Sequence, residues 1–167
     1  MDFLQPPKTL SCKNVYIDGS CVGPQKNRQA GCGVFFEQND IRNVSEKLSE
    51  KFTQTNNVAE LMGIVRALET ILNTSSPLQT HNDTWNIHSD SKYAISCVTN
   101  WAIKWQKNEW RKSDGNPILN RHIIEKILSL LSEFPNKNVH FIYIPREENK
   151  EADKLAKIGA TSSKAVN

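Results

Sequence analysis

Four acidic residues, Asp18, Glu60, Asp90 and Asp153, stand at comparable places in the chain. Asp18 falls where an alternating apolar stretch meets Gly19. Glu60 falls in the first turn of a helical pattern, one residue off its apolar stripe. Asp90 directly follows a strand-like run. Asp153 comes early in a last helical pattern, flanked by Ala152 and Leu155 but off their stripe. Strand ends and helix starts meet at the carboxyl edge of an open sheet, where folds of that kind place their sites. Carboxylates gathered there repel one another and are driven toward protonation. Mg²⁺ or Mn²⁺ removes that cost, because hard divalent cations prefer oxygen ligands. Two such ions, roughly 3.5–4 Å apart, clamp the attacking water and the leaving oxygen of a phosphodiester. Taken singly, each acid reads better as a solvated residue at an element boundary, since acids favour helix starts; the four together with their flanking strings do not.

The elements that must position these acids follow from hydrophobic period. Asn14 to Ile17 alternates as a strand does, with Asp18-Gly19-Ser20 ending it; Gly31 to Glu37 and Ile41 to Leu48 are further strands, parted by the turn-like Gln38-Asn39-Asp40. Three strands on short connections make an antiparallel meander. Val58, Leu61, Val65, Leu68 and Leu72 then recur at helical spacing, predicting a helix from about Asn57 to Asn73. Thr84 to Ser89 is a strand and Lys92 to Asn100 a short helix. A basic, Trp-rich segment follows and is closed by Pro117. Ile124, Ile127, Leu128 and Leu131 mark another helix, Val139 to Ile144 a strand, and Glu148 to Ala160 a final helix. This order implies an α/β fold: a five-stranded mixed sheet, three antiparallel strands then two parallel, with helices on both faces.

The 167 residues suffice for one domain, expected over 11–161 between a leader at 1–10 and a flexible tail at 162–167. The net charge of +3 is concentrated: from Trp101 to Arg121 lie five basic residues (Lys104, Lys107, Arg111, Lys112, Arg121) and two acidic ones (Glu109, Asp114), leaving the remainder neutral. Trp101, Trp105 and Trp110 alternate with these cations. On a helix, positions 101 and 105 share a face, offering stacking or sugar contact beside phosphate-seeking charge. Cys12, Cys21, Cys32 and Cys97 form no Cys-x-x-Cys pair and read as reduced thiols. No signal peptide and no apolar run of membrane length is present, so an intracellular protein of cytoplasm or nucleus, monomeric and without membrane contact or an obligate protein partner, is expected.

Four strings carry a family resemblance. Tyr16-Ile17-Asp18-Gly19-Ser20, Thr55-Asn56-Asn57-Val58-Ala59-Glu60-Leu61, Ser89-Asp90-Ser91 and Asn149-Lys150-Glu151-Ala152-Asp153-Lys154-Leu155-Ala156 resemble, in order, the four motifs of type 1 ribonuclease H, and the likeness runs from about Asn14 to Ala160. The resemblance implies the ribonuclease H-like fold with a basic handle. It also implies an endonuclease that cuts the RNA strand of RNA–DNA hybrids, leaving 5′-phosphate and 3′-hydroxyl ends. Asp18 would bridge two Mg²⁺ ions, Asp153 would help hold the ion that activates water, and Glu60 and Asp90 would serve the other; Mn²⁺ would substitute. On the same likeness Tyr93, Trp101, Trp105 and Ser113 would line a groove for the DNA strand, with Lys104, Lys107, Arg111 and Lys112 beside it. Thr55 and Asn120 would hold one DNA phosphate, and Asn56 and Asn57 would sit near the RNA 2′-hydroxyls.

Three departures stand out. The histidine that most cellular members carry before the last helix is absent from Pro145-Arg146-Glu147-Glu148-Asn149, as in short-loop members; Glu147 or Glu148 is expected to substitute in part, with slower turnover. Gly23-Pro24 replaces a usual polar run, leaving Asn27 as the nearest candidate for an RNA contact, and Thr53 stands where an arginine is often found. His88 is expected to be a satisfied structural residue, and His140 lies on the wrong side for the missing role. A catalytically weak hybrid-binding module of the same fold is the alternative of a different class, against which the complete acid set argues. A domain released from a reverse transcriptase polyprotein is a third reading; the starting Met1 and the intact handle favour a stand-alone protein. The chain has no room for an additional N-terminal hybrid-binding domain, so low processivity is expected.

Overall fold

The computed structural model describes residues 11–75, 83–134 and 138–163. The expected leader at 1–10, and residues 164–167 of the expected tail, lie outside them. Strand β1 (Cys12–Val22) is followed by a 3-10 turn (Gln25–Asn27), β2 (Gln29–Phe35), β3 (Val44–Lys47) and the long helix α1 (Asn56–Thr74). Next come β4 (Thr84–Ser89), α2 (Lys92–Ser96), a π-helical turn (Cys97–Trp101), α3 (Ala102–Lys107) and α4 (Arg121–Ser132). Strand β5 (Val139–Tyr143), a 3-10 turn (Arg146–Glu148) and α5 (Lys150–Thr161) complete the described chain. The sheet order is β3-β2-β1-β4-β5, with β1/β2 and β2/β3 antiparallel and β1/β4 and β4/β5 parallel, the mixed sheet that the pattern predicts.

The two faces of the sheet are covered differently. Helix α1 lays Val58, Leu61, Ile64, Leu68 and Ile71 over the sheet, where Val15, Ile17 and Ile87 are fully buried, and α4 adds Ile123, Ile124 and Ile127. Helix α5 instead presents small residues, with Ala152, Ala156, Gly159 and Ala160 all buried. They meet glycines of β2. A Cβ on Gly31 would lie 2.2 Å from the Ala160 nitrogen, and one on Gly33 2.4 Å from the Ala152 carbonyl oxygen. Backbone packs on backbone here, so α5 is seated closely against the sheet.

Four expectations need correction. Asp18-Gly19-Ser20 does not end β1. The strand runs on to Val22, paired with β2 through Val22↔Gln29, while its parallel pairing to β4 stops at Tyr16↔His88. Asp18 is therefore inside the hairpin yet beyond the last rung shared with β4. Strand β3 is shorter than Ile41 to Leu48 because Asp40 accepts hydrogen bonds from the backbone and side chain of Arg42, closing a turn that leaves Ile41 99% exposed. The helix begun at Lys92 does not stop near Asn100; it continues through the π turn to Lys107. The last helix begins at Lys150, not Glu148, because residues 146–148 form the 3-10 turn.

The glycine seam sets a test. A methyl group at Gly33 must push α5 away, so Gly33→Ala is expected to lower unfolding free energy by about 1–3 kcal/mol, read from the urea midpoint. An unchanged midpoint would mean that α5 is not seated this closely.

Candidate active site

Asp18 is brought to Glu60 by a missing side chain. At Gly19 a Cβ would stand 2.3 Å from the Glu60 nitrogen and 2.6 Å from the Ala59 carbonyl carbon, so the first turn of α1 lies directly on the β1 backbone. Thr55 starts that helix, its extended backbone turning in and its hydroxyl accepting from the Val58 N–H at 3.2 Å. Glu60 is thereby set into the interior at 8% exposure, beside Asp18 at 4%.

Asp90 arrives from the end of β4, one strand over. Ser89 ends the strand, accepting from the Ile144 N–H through its carbonyl and from the Ser91 N–H through its hydroxyl, and Ser91 caps α2. Carboxylate oxygens of Asp18, Glu60 and Asp90 lie within 4.8 Å of one another. Asp153 is not within that set. Its carboxylate is gripped by Arg146 Nη2 at 3.1 Å and Lys157 Nζ at 2.5 Å. It is near enough for its charge to add to the proton affinity of Asp18.

The electrostatics follow from this placement. Burial first, then the charge of Asp90, pushes the Asp18 carboxyl up to about 7. Burial and then the Asp18 charge hold Glu60 well above the usual carboxylate range. For Asp153 burial pulls upward, but Lys157 and Arg146 outweigh it and the group stays below its ordinary value. One Glu60 oxygen, Oε2, is buried with no hydrogen-bond partner among the described residues. A buried lone acceptor among like charges needs a proton or a cation.

Asn149 belongs to this site, and sequence reasoning missed its part. It is 1% exposed; its Nδ2 donates to the Ile17 carbonyl at 2.8 Å and to Asp90 Oδ1 at 3.3 Å, and its own carbonyl accepts from the Asp153 N–H at 3.0 Å. It thus ties β1, Asp90 and α5 together. An asparagine at a helix entry ordinarily reads as a cap, but this side chain makes no capping bond.

The other expected residues fall into separate groups. Tyr93, Trp101 and Trp105 form an aromatic run, with ring centroids 6.1 and 5.6 Å apart in succession, and Asn120 donates to the Tyr93 hydroxyl at 3.1 Å. Lys104, Lys107, Arg111, Lys112 and Ser113 are exposed around it. Trp110 is buried at 8% exposure, with Arg121 over its ring. Thr55, Asn56 and Asn57 share one polar depression, whose lining does not include Asn120. His88 is only half satisfied: its Nε2 meets Asn14 Oδ1 at 2.9 Å and its ring stacks on Tyr16, but its Nδ1 is buried with no hydrogen-bond partner among the described residues, and burial lowers its pKa. His140 pairs across the sheet with Asn86. Glu147 and Glu148 are exposed and line a depression with Tyr16 and Phe35; the side chains of that loop that reach site carboxylates are Arg146, on Asp153, and Asn149, on Asp90.

This sheet order, with acids at its carboxyl edge, defines a ribonuclease H-like fold. The RNase H family model matches residues 11–161, and the chain belongs to that family. It is 39% identical over 162 residues to the ribonuclease H of Schizosaccharomyces pombe, covering 92% of this chain and 56% of that protein. It is 30% identical to human ribonuclease H1, over 89% of this chain and 50% of that one. The chain thus spans about half the length of these relatives, whereas for the Actinobacillus succinogenes ribonuclease H (29% identity) it covers 88%. Among solved structures, the PFV RNase H domain superposes with a TM-score of 0.67 at 21% identity, over 89% of this chain and 93% of that one. LC11-RNase H1 in complex with RNA/DNA hybrid does so at 0.61 and 22%, over 88% and 95%. These two are likenesses of fold.

Two measurements follow. A carboxyl whose folded pKa is raised contributes stability that is full below its unfolded value and lost as pH rises through the folded one. For Asp18 that window runs from 3.8 to about 7. The Tm of the metal-free protein minus that of Asp18→Asn is therefore expected to fall between pH 4 and pH 8; a flat difference would refute the raised pKa. Glu147→Gln and Glu148→Gln test the expected loop assistants: a drop in kcat in either supports a role, and unchanged kcat in both removes it.

Proposed function

We propose that this protein is an endonuclease that hydrolyses the RNA strand of RNA–DNA hybrids with two divalent ions, Mg²⁺ or Mn²⁺ in its place, leaving 5′-phosphate and 3′-hydroxyl ends. The observation that carries this reading is the cluster of Asp18, Glu60 and Asp90, three oxygen donors within 4.8 Å, with the partnerless Glu60 Oε2 among them. That donor set suits Mg²⁺ or Mn²⁺ and no soft metal. Asp18, Glu60 and Asp90 would hold the ions, with Asp153 completing the set from the rim. Divalent ions so bound supply Lewis acidity to the scissile phosphate and acidify the attacking water.

The chain's own residues do the rest. Asn149 holds Asp90 in its orientation and fixes α5, with Asp153, to the central strand. Arg146 and Lys157 keep Asp153 ionised over the working pH range, ready to bind a cation or accept a proton. The run Tyr93, Trp101 and Trp105 offers flat apolar surface to sugars or bases of the DNA strand, flanked by cations for its phosphates. Asn56 and Asn57, exposed at the opening of α1, offer amides to 2′-hydroxyls, the group that separates RNA from DNA. On the family likeness Thr55 and Asn120 would hold one DNA phosphate, Asn120 from outside the depression that Thr55 lines. A relative of the same fold is known in complex with RNA/DNA hybrid. On this reading the protein acts as a monomer in the cytoplasm or nucleus; among the described residues no helix is long and apolar enough to cross a membrane.

The test is cleavage of a labelled hybrid in Mg²⁺ and in Mn²⁺, beside single-stranded RNA, duplex RNA and duplex DNA. Cutting confined to the RNA strand of the hybrid, and reduced at least a hundredfold in Asp18→Asn, is the expected result. Tight hybrid binding without cutting in either metal would make the protein a binding module instead.

A further inference from the structure

Five of the six arginines have an acceptor within the protein. Arg42 grips Asp40, Arg66 bridges Glu46 and Glu69, Arg111 donates to the Gly115 carbonyl, Arg121 pairs with Glu125 and Arg146 with Asp153. Arg28 makes no ion pair or side-chain hydrogen bond among the described residues. It lies on the wall of a polar depression of about 290 Å³ whose other walls are Cys21, Gly23, Thr55, Asn56 and Asn57.

The loop that carries Arg28 is held in place from both sides. Gly23 turns at a φ of +92°, and a Cβ there would sit 2.8 Å from the Asn27 carbonyl oxygen; Asn27 in turn donates its N–H to the Pro24 carbonyl at 2.8 Å. Gln54 fastens the base of the loop to the entry of α1. Its Oε1 accepts from the Ala30 N–H at 2.8 Å, and its backbone carbonyl accepts from the Cys21 thiol at 3.3 Å. From Cys21 to Gln29 the chain carries two cations, Lys26 and Arg28, and no acid. Across the depression, the side-chain amides of Asn56 and Asn57 have no partner among the described residues.

A guanidinium left without a carboxylate, on a fixed loop, facing neutral donors across a small concavity, matches the planar fork that phosphate oxygens accept. The depression is also close to the carboxylates along the chain. Cys21 is three residues beyond Asp18 on β1, about 10 Å at strand rise, and Thr55 opens the helix that carries Glu60. We propose that Arg28, on the wall of this depression, supplies the cation for one backbone phosphodiester of the bound duplex, next to the Asn56 and Asn57 amides assigned to the sugars. The assignment rests on the hybrid-binding reading above and adds to it a contact from the β1–β2 loop, apart from the handle.

The experiment is equilibrium binding of a short labelled RNA–DNA hybrid across a salt series, in an Asp18→Asn background so that nothing is cut. Adding Arg28→Gln is expected to weaken binding roughly three- to tenfold at low salt and to reduce the slope of log Kd against log salt by about 0.9, the loss of one phosphate contact. Arg28→Lys keeps the slope and part of the affinity. Arg42→Gln, which alters a cation paired elsewhere, leaves both unchanged. The Tm of Arg28→Gln stays at that of its parent, because Arg28 holds nothing within the fold. A neutral methylphosphonate placed in turn at each DNA position identifies the strand. If the Arg28→Gln effect vanishes at one position the contact is on DNA, and if it persists at all of them the contact is on RNA. Parental affinity and slope in Arg28→Gln would overturn the proposal while leaving the hybrid reading intact; a parent that binds no hybrid would overturn both.

Discussion

Like charge at close range is the constraint around which this fold is arranged. Asp18, Glu60 and Asp90 hold carboxylate oxygens within 4.8 Å of one another, and two of the three are buried. Left to itself such a group disperses into solvent or takes up protons. Dispersal is blocked because each acid is fixed by its element: Asp18 by hydrogen bonding within β1 and β2, Glu60 by a helix pressed onto Gly19, Asp90 by the end of β4 and the side-chain amide of Asn149. What remains is protonation, which is why Asp18 and Glu60 are shifted upward while Asp153, with two cations, is shifted downward. The difference in environment sets the acids apart chemically although they are alike in kind.

The parts of this arrangement that were legible in the sequence are those with a period or a short string to carry them. The apolar spacing of Val58, Leu61, Val65 and Leu68 predicts α1 to within a residue or so at each end, and Thr84 to Ser89 is found as read. The three gathered acids were legible through their flanking strings. Illegible features were those in which a residue serves a use other than its usual one. Gly19 after an aspartate reads as a turn, but its smallness admits a helix backbone and the strand goes on. Asn149 reads as an ordinary residue of the last helix, but its amide is turned to the interior. Ile41 reads as strand, but the pairing of Asp40 with Arg42 turns the chain outward before the ladder begins.

The π turn at Cys97–Trp101 is a further case. It adds a residue to one helical turn, so the apolar period that would announce a continuous helix is broken there. The register shift alters the direction of the side chains that follow, and Trp101 and Trp105 stand in one aromatic run with Tyr93. Asn120, in the left-handed conformation at the entry to α4, meets the Tyr93 hydroxyl and joins the returning chain to that run. The handle and the carboxylate edge are therefore connected through α2, whose cap, Ser91, adjoins Asp90.

The packing of α5 onto glycines bears on the order in which the molecule becomes complete. The seam at Gly31 and Gly33 has no side chains of its own on that face, so before α5 arrives the sheet offers it little but bare backbone. The same helix brings Asp153, and its entry brings the Asn149 amide to Asp90. A chain emerging from the ribosome thus carries β1, α1 and β4, with three of the acids, well before the piece that steadies them. Until that segment docks, Asp90 is without its Asn149 partner and the set is without Asp153.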